Sequence, residues 1–468
     1  MKIPKRVIGF LELNNTKFPF EFDKNTFELK LYFPTENDAY EQIFSGLSSY
    51  RSNLKEHKWI NRITINGRTA ERYLVYFGTS DDPSIYNGYR IYNVDWYYVT
   101  DNEGEFIDEI RFYGREIDYF YNPTIIFQQI VKYKEEKYIS VESLSVHTVD
   151  IEDLRCGTYM SNGVQVDVSC CSTAKMNYQS TSPLDSKSFL KLRFSEKINL
   201  DELINKARII QNLIKYVSYR TNNVFSDIST YIVVEDDKVR NCGKLIFNTH
   251  VKEEQNEKAK ERIIKAEDLN EHVSYLLKVI ESGEMAFGHY CNSIEDTRHY
   301  PISRIIMILA AFEREFRNVY GQDVRRSEDY KETKTEIVDL IMKYAENMTG
   351  KRKKYIKKFA KGIMNTDSSY GDNLKYAFED CKIIMEPFVI KHFNGTYEEI
   401  IEDVSLNIND LRNGVAHSRL DMKLEARHLT DIHLVEEMLY VIRLKSIGVD
   451  KTRIKKIVNE LFGENMAL

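Results

Sequence analysis

Proline and glycine are scarce in this chain, 8 and 20 of 468 residues. Scarcity of both argues against long disordered tracts. Cysteine is scarcer still: Cys156, Cys170, Cys171, Cys242, Cys291 and Cys381 make up all 6. None forms a Cys-x-x-Cys pair or a Cys/His cluster with zinc spacing, so neither a structural metal nor a cofactor is expected. The adjacent Cys170-Cys171 pair reads as reduced and structural. A positive excess is also missing. Lys and Arg number 66 against 72 Asp and Glu, a net charge of −6, so the chain does not coat nucleic acid through bulk charge and any such contact must be a local patch. No apolar run reaches signal-peptide or membrane-spanning length. The sequence therefore predicts a cytoplasmic protein with no membrane partner.

What is present is ordinary globular material, 42% hydrophobic and 29% charged, long enough for two to three domains. Tyr and Phe are abundant, 31 and 24, and much of the Tyr falls in the first half, where it suits half-buried sheet faces.

Residues 1–250 read mainly as sheet. Phe27, Leu29, Leu31 and Phe33 alternate with Glu28, Lys30 and Tyr32, a strand with one buried face. Asn66-Gly67 marks a hairpin. Tyr92, Val94, Trp96 and Tyr98 alternate before a turn over 101–104, and Leu190, Leu192 and Phe194 form another strand. One helix follows, with Asn199 as its N-cap. The pattern predicts a β-rich domain, sandwich- or barrel-like, with an inserted helix. Residues 141–186 are Ser-rich and read as irregular. Residues 251–265, VKEEQNEKAKERIIK, read as a linker or a solvated helix opening a helical connector over 251–300.

From 301 to 468 amphipathic helices joined by short polar connections predict an all-α bundle, so the whole chain reads as α+β and multidomain. One helix, KRKKYIKKFAKG, is basic. Arg352, Lys353, Lys354, Lys357, Lys358 and Lys361 surround a narrow apolar side at Tyr355, Ile356 and Phe359. It reads as a phosphate track for RNA, or else as a solvated lysine face.

Two helices carry a charge among their apolar residues. After Tyr397, Ile401, Val404, Ile408, Leu411 and Val415 form a stripe, and Arg412 projects from its middle. After Pro301, Ile302, Ile305, Ile306, Leu309, Phe312 and Phe316 form another, with Glu313 in its middle. A guanidinium aimed at a core must be paired, so Glu313 is expected to meet Arg412.

Arg412-Asn413 followed by His417, late in an all-helical region, resembles the HEPN ribonuclease motif. With the leading Glu313 helix and the β-rich half ahead, the chain resembles the ApeA-like HEPN proteins of bacterial antiphage defence. The resemblance implies a homodimer or higher oligomer with two motifs across a shared cleft. It implies host or phage RNA as substrate and a phage-encoded trigger at the N-terminal domain.

The chemistry such a set can perform follows from the substrate. RNA carries its own nucleophile, the 2′-OH. A base and a cation suffice to cut it without metal. His417 suits the base, Arg412 the phosphate, Asn413 hydrogen bonding to either, and Glu313 the positioning of the guanidinium. An unbroken helix would turn His417 about 140° from Arg412. Gly414 is therefore expected to end the helix and return His417 beside it. The other reading is a catalytically inactive scaffold with a structural Glu313–Arg412 pair. His428 and His433 read as capping or surface groups, and His392 has no partner pattern.

Overall fold

The computed structural model describes residues 5–13, 16–32, 61–66, 72–79, 84–86, 88–101, 106–133, 141–149, 151–176, 184–234, 238–249, 251–321, 328–364, 369–416 and 424–467. His417, Phe33, Gly67 and positions 102–104 lie outside them. The chain is α+β and divides into two compact units, Met1–Lys278 and Val279–Leu468.

The first unit is built on strands β1 (Arg6–Leu13), β2 (Thr16–Asp23), β3 (Glu28–Tyr32), β4 (Asn61–Asn66), β5 (Arg72–Gly78), β6 (Ser84–Tyr86), β7 (Tyr89–Asn93), β8 (Trp96–Thr100) and β9 (Ile107–Tyr113). Helix α1 (Arg115–Phe120) precedes β10 (Phe127–Tyr133), β11 (Val141–Thr148), β12 (Leu154–Ser161), β13 (Val164–Met176) and β14 (Leu184–Ile198). Helix α2 (Leu200–Ser218), β15 (Asp227–Val233), β16 (Val239–Phe247), α3 (Ala266–Leu269) and α4 (His272–Glu281) complete it, the division between units falling inside α4.

Fourteen of these strands form one antiparallel hydrogen-bonded sheet, in the order β12-β13-β14-β9-β15-β16-β8-β5-β4-β1-β2-β3-β7-β6, and β10 pairs with β11 apart from it. The β-rich expectation holds, and the strands belong to a single sheet that curls over its own core. Phe22 on β2 and Phe77 on β5 are three strands apart, roughly 14 Å in a flat sheet. Their rings nevertheless meet at 4.7 Å, inside a core with Phe18, Phe20, Leu29, Leu31, Val75 and Val99.

Several local readings change. Phe27 sits in a left-handed turn (φ 54°), so its strand begins at Glu28. The Tyr92–Tyr98 run is two strands, because Tyr92 pairs with Leu29 and Trp96 with Gly78. Residues 141–186 are mostly strand, not irregular. Asn162-Gly163, both at positive φ (50° and 87°), close a two-residue hairpin between Ser161 and Val164. The linker expected over 251–265 instead folds onto this unit: Ala259, Ile263 and Ile264 are buried, and the Ile264 amide donates to the Val217 carbonyl. Asn199 caps α2 as expected, with Glu202 returning the bond.

The second unit is helical: α5 (Ile302–Tyr320), α6 (Glu328–Glu346), α7 (Gly350–Met364), α8 (Tyr370–Asp380), α9 (Lys382–His392), α10 (Tyr397–Ala416), α11 (Ala426–Ser446) and α12 (Lys451–Phe462). The stretch NLKYAFEDCKIIMEPFVI falls in two helices, α8 and α9, joined at Cys381. Every residue of α11 from Asp431 to Leu444 is buried, so it is the axis on which the others pack. No helix among the described residues is long and apolar enough to cross a membrane.

Candidate active site

The α5 and α10 stripes do bring Glu313 and Arg412 together, but not in the core. Arg412 Nη2 lies 3.8 Å from Glu313 Oε2, and the two side chains are 41% and 31% exposed. Glu313 Oε1 accepts a shorter bond, 2.5 Å, from Arg317 Nη2 one turn along α5. One carboxylate thus faces two guanidinium groups. Arg412 Nη1 reaches Asn413 Oδ1 at 3.5 Å, a marginal contact.

These groups line a cleft of about 500 Å³. Its wall is made by α5 (Glu313, Phe316, Arg317), by Ser369 and α8 (Tyr370, Asn373), and by α10 (Asn409, Arg412, Asn413). Close approach of α8 to α10 shapes it. A Cβ on Gly371 would stand 2.9 Å from the Ser405 carbonyl oxygen, so only glycine lets the helices meet there. Asn409 Oδ1 accepts from the Gly371 amide at 3.3 Å and ties the crossing.

Tyr370 is the residue that the sequence reading missed. Its hydroxyl is buried and has no hydrogen-bond partner among the described residues, and it borders the same cleft. Burial raises its pKa well above 10, with the Glu313 charge adding and the Arg412 charge opposing. A neutral phenol beside two guanidiniums is a donor for an anionic ligand. The signal in the sequence was slight: Ser369 before a short helix, closing a capping box with Asp372.

Gly414 does not end the helix. It is buried within α10, which continues to Ala416. Packing of that face outweighs the helical cost of glycine, about 1 kcal/mol. The expected return of the chain at Gly414 is therefore corrected, and His417 lies outside the described residues.

The buried charges of α5 are others. Arg304 and Glu315 are buried, while Ile306 is 40% exposed. The helix is rotated so that Arg304 Nη2 meets Glu436 at 2.7 Å and Glu315 meets Arg443 of α11. The basic face lies on α7, which pairs with α6. Arg352, Lys354, Lys357, Lys358 and Lys361 are exposed and Lys353 is half-buried. On its narrow apolar side, Tyr355 and Phe359 are 59% and 68% exposed.

No protein-family model, curated protein or solved structure matches the chain.

Proposed function

We propose that the helical unit is a HEPN-like endoribonuclease, independent of metal at its reaction centre, acting in a cytoplasmic bacterial antiphage system that halts growth. The observation that supports this reading is the cleft. Two guanidiniums converge there on one carboxylate, beside a phenol with no hydrogen-bond partner among the described residues, and Arg412 stands five positions before His417 in the sequence.

In the reaction, His417 takes the proton of a ribose 2′-OH, whose oxygen attacks the adjacent phosphorus. The bond to the 5′-oxygen breaks and that oxygen takes up a proton. A 2′,3′-cyclic phosphate and a 5′-hydroxyl are left. Arg412 binds the phosphate oxygens as charge builds, and a preorganised donor of this kind is worth roughly 3–4 kcal/mol of barrier. Glu313, itself held by Arg317, orients the Arg412 fork. The α7 lysines contact the RNA backbone, a second copy completes the shared cleft, and the β-rich unit receives the phage trigger.

The test is cleavage of a labelled RNA without added Mg²⁺ by the wild type and by His417→Ala. Loss of cleavage and of cellular toxicity in the variant, with retained folding, is expected. No cleavage by the wild type overturns the reading and leaves an RNA- or protein-binding scaffold, and cleavage by the variant equal to wild type overturns the role of His417.

A further inference from the structure

The helical unit holds a second cluster of ionisable groups, built from other residues. His392 ends α9. His433 and Glu437 lie one turn apart on α11. Glu464 follows Gly463, whose left-handed turn (φ 66°) closes α12. His433 Nε2 is 3.0 Å from Glu464 Oε1, and His392 Nε2 is 2.9 Å from Glu464 Oε2. Glu437 Oε1 is 3.6 Å from His433 Nε2.

Two features set this cluster apart from a completed ion-pair network. First, the Glu437 carboxylate is fully buried, yet neither oxygen accepts a hydrogen bond among the described residues. Its neighbours each have a fixed cation: Arg304 on Glu436 at 2.7 Å, Arg298 and Lys391 on Glu464 at 2.8 and 2.5 Å. Second, the far nitrogen of His433 is already held. Its Nδ1 lies 3.1 Å from the Tyr300 hydroxyl, which donates to Glu436 at 2.7 Å. A ring held at Nδ1 in this way presents Nε2 to the carboxylates, the arrangement that orients a metal-ligating imidazole.

We propose that His392 Nε2, His433 Nε2 and the carboxylates of Glu464 and Glu437 bind one divalent cation of the zinc class, as a structural site joining α9, α11 and the end of α12. The donor atoms of His392, His433 and Glu464 all lie within 4.8 Å of one another. Ligands about 2.0–2.2 Å from a tetrahedral ion stand roughly 3.3 Å apart, so the widest pair draws together by up to about 1.5 Å, within reach of side-chain rotation. The ion takes the place of the proton between each imidazole and Glu464, leaves both rings neutral and supplies Glu437 with its counter-charge. Arg298 and Lys391 remain outside as partners of Glu464. Four protein ligands leave no open position, which is the pattern of a structural rather than a catalytic site. Sequence spacing conceals such a set: His392 and Glu464 are 72 residues apart.

The test uses the full chain and does not depend on the ribonuclease reading. Protein purified without chelator is analysed for metal, then stripped and titrated with Zn²⁺, and with Co²⁺ for its visible absorption. Expected are about one Zn²⁺ per chain, a four-coordinate Co²⁺ spectrum, and a melting temperature raised by Zn²⁺. His392→Ala and Glu437→Gln each lower Zn²⁺ affinity at least tenfold while far-UV circular dichroism is retained. No bound metal with a melting temperature indifferent to Zn²⁺ overturns the proposal. So does Zn²⁺ binding unchanged in both variants. A Glu437→Gln chain with Zn²⁺ affinity unaltered also overturns it, and a lowered melting temperature then assigns Glu437 to a simple pair with protonated His433.

Discussion

Glu315 on α5 and Arg443 on α11 form a buried bidentate ion pair, Nε to Oε1 at 2.5 Å and Nη2 to Oε2 at 3.0 Å. Only two residues earlier on the same helix, Glu313 makes its contacts in a solvent-reached cleft. The two carboxylates therefore have opposite roles, and truncation separates them. Glu315→Ala leaves Arg443 buried without its close partner, a loss of about 3–5 kcal/mol, or roughly 10 °C in the melting of the helical unit. Glu313→Ala removes an exposed pair and costs under about 1 kcal/mol. Thermal denaturation of both variants checks the order.

Arg412→Lys keeps the charge and loses the planar fork. Because the side chain is 41% exposed, stability is expected to hold while cleavage falls by about 10²-fold or more. Single-turnover rates with saturating RNA, set beside melting temperatures, decide this. Equal loss in both would make Arg412 a structural residue.

Tyr370→Phe removes a buried hydroxyl that has no hydrogen-bond partner among the described residues. Stability should be unchanged or rise by about 1 kcal/mol. Cleavage should fall, since the phenol borders the cleft. A variant that is less stable would show that the hydroxyl is bonded in solution.

Charge reversal of Lys357 and Lys358, both exposed on α7, is expected to weaken RNA binding at low salt without altering the fold. Each lost phosphate contact should reduce the slope of log K against log salt by about 0.7 for single strands. Anisotropy titrations at several salt concentrations read the slope directly. An unchanged slope would leave α7 as a solvated face.

His289 couples the helical unit to pH. Burial pushes its imidazole down to about 4 from 6.5. The unfolded chain takes up a proton as pH falls through 6.5, and the folded chain does so only near 4. The contribution is thus full above 6.5 and lost on acidification toward 4, at most about 3 kcal/mol. His289→Phe should flatten the dependence of melting temperature between pH 7 and 4.5. An identical slope in the variant would place the effect elsewhere.

Much of this architecture was legible because it is local. Alternation gave the strands at Leu29 and Leu190. Asn199 announced the start of α2. The period of 3.6 marked α5, α10 and α12. Asn162-Gly163 is an equally local hairpin signal, masked by the serine-rich composition around it. Residues 251–265 misled because their charges concealed Ile263 and Ile264, which are buried.

The sequence by itself determined the β-rich first part, the helical second part and the strongly periodic elements within them, since those preferences rest on neighbours a few residues apart. It also determined that Glu313 and Arg412 would approach each other. Only the tertiary structure decided which charges are buried. The apolar stripe of α5 is broad enough to allow more than one rotation, and packing against the buried Asp431–Leu444 run of α11 chose the one that turns Arg304 and Glu315 inward and leaves Glu313 at the cleft. The same long-range packing brought His392 and Glu464 to His433 and Glu437 of α11, a meeting the chain does not reveal because contacts between distant helices leave no period in it.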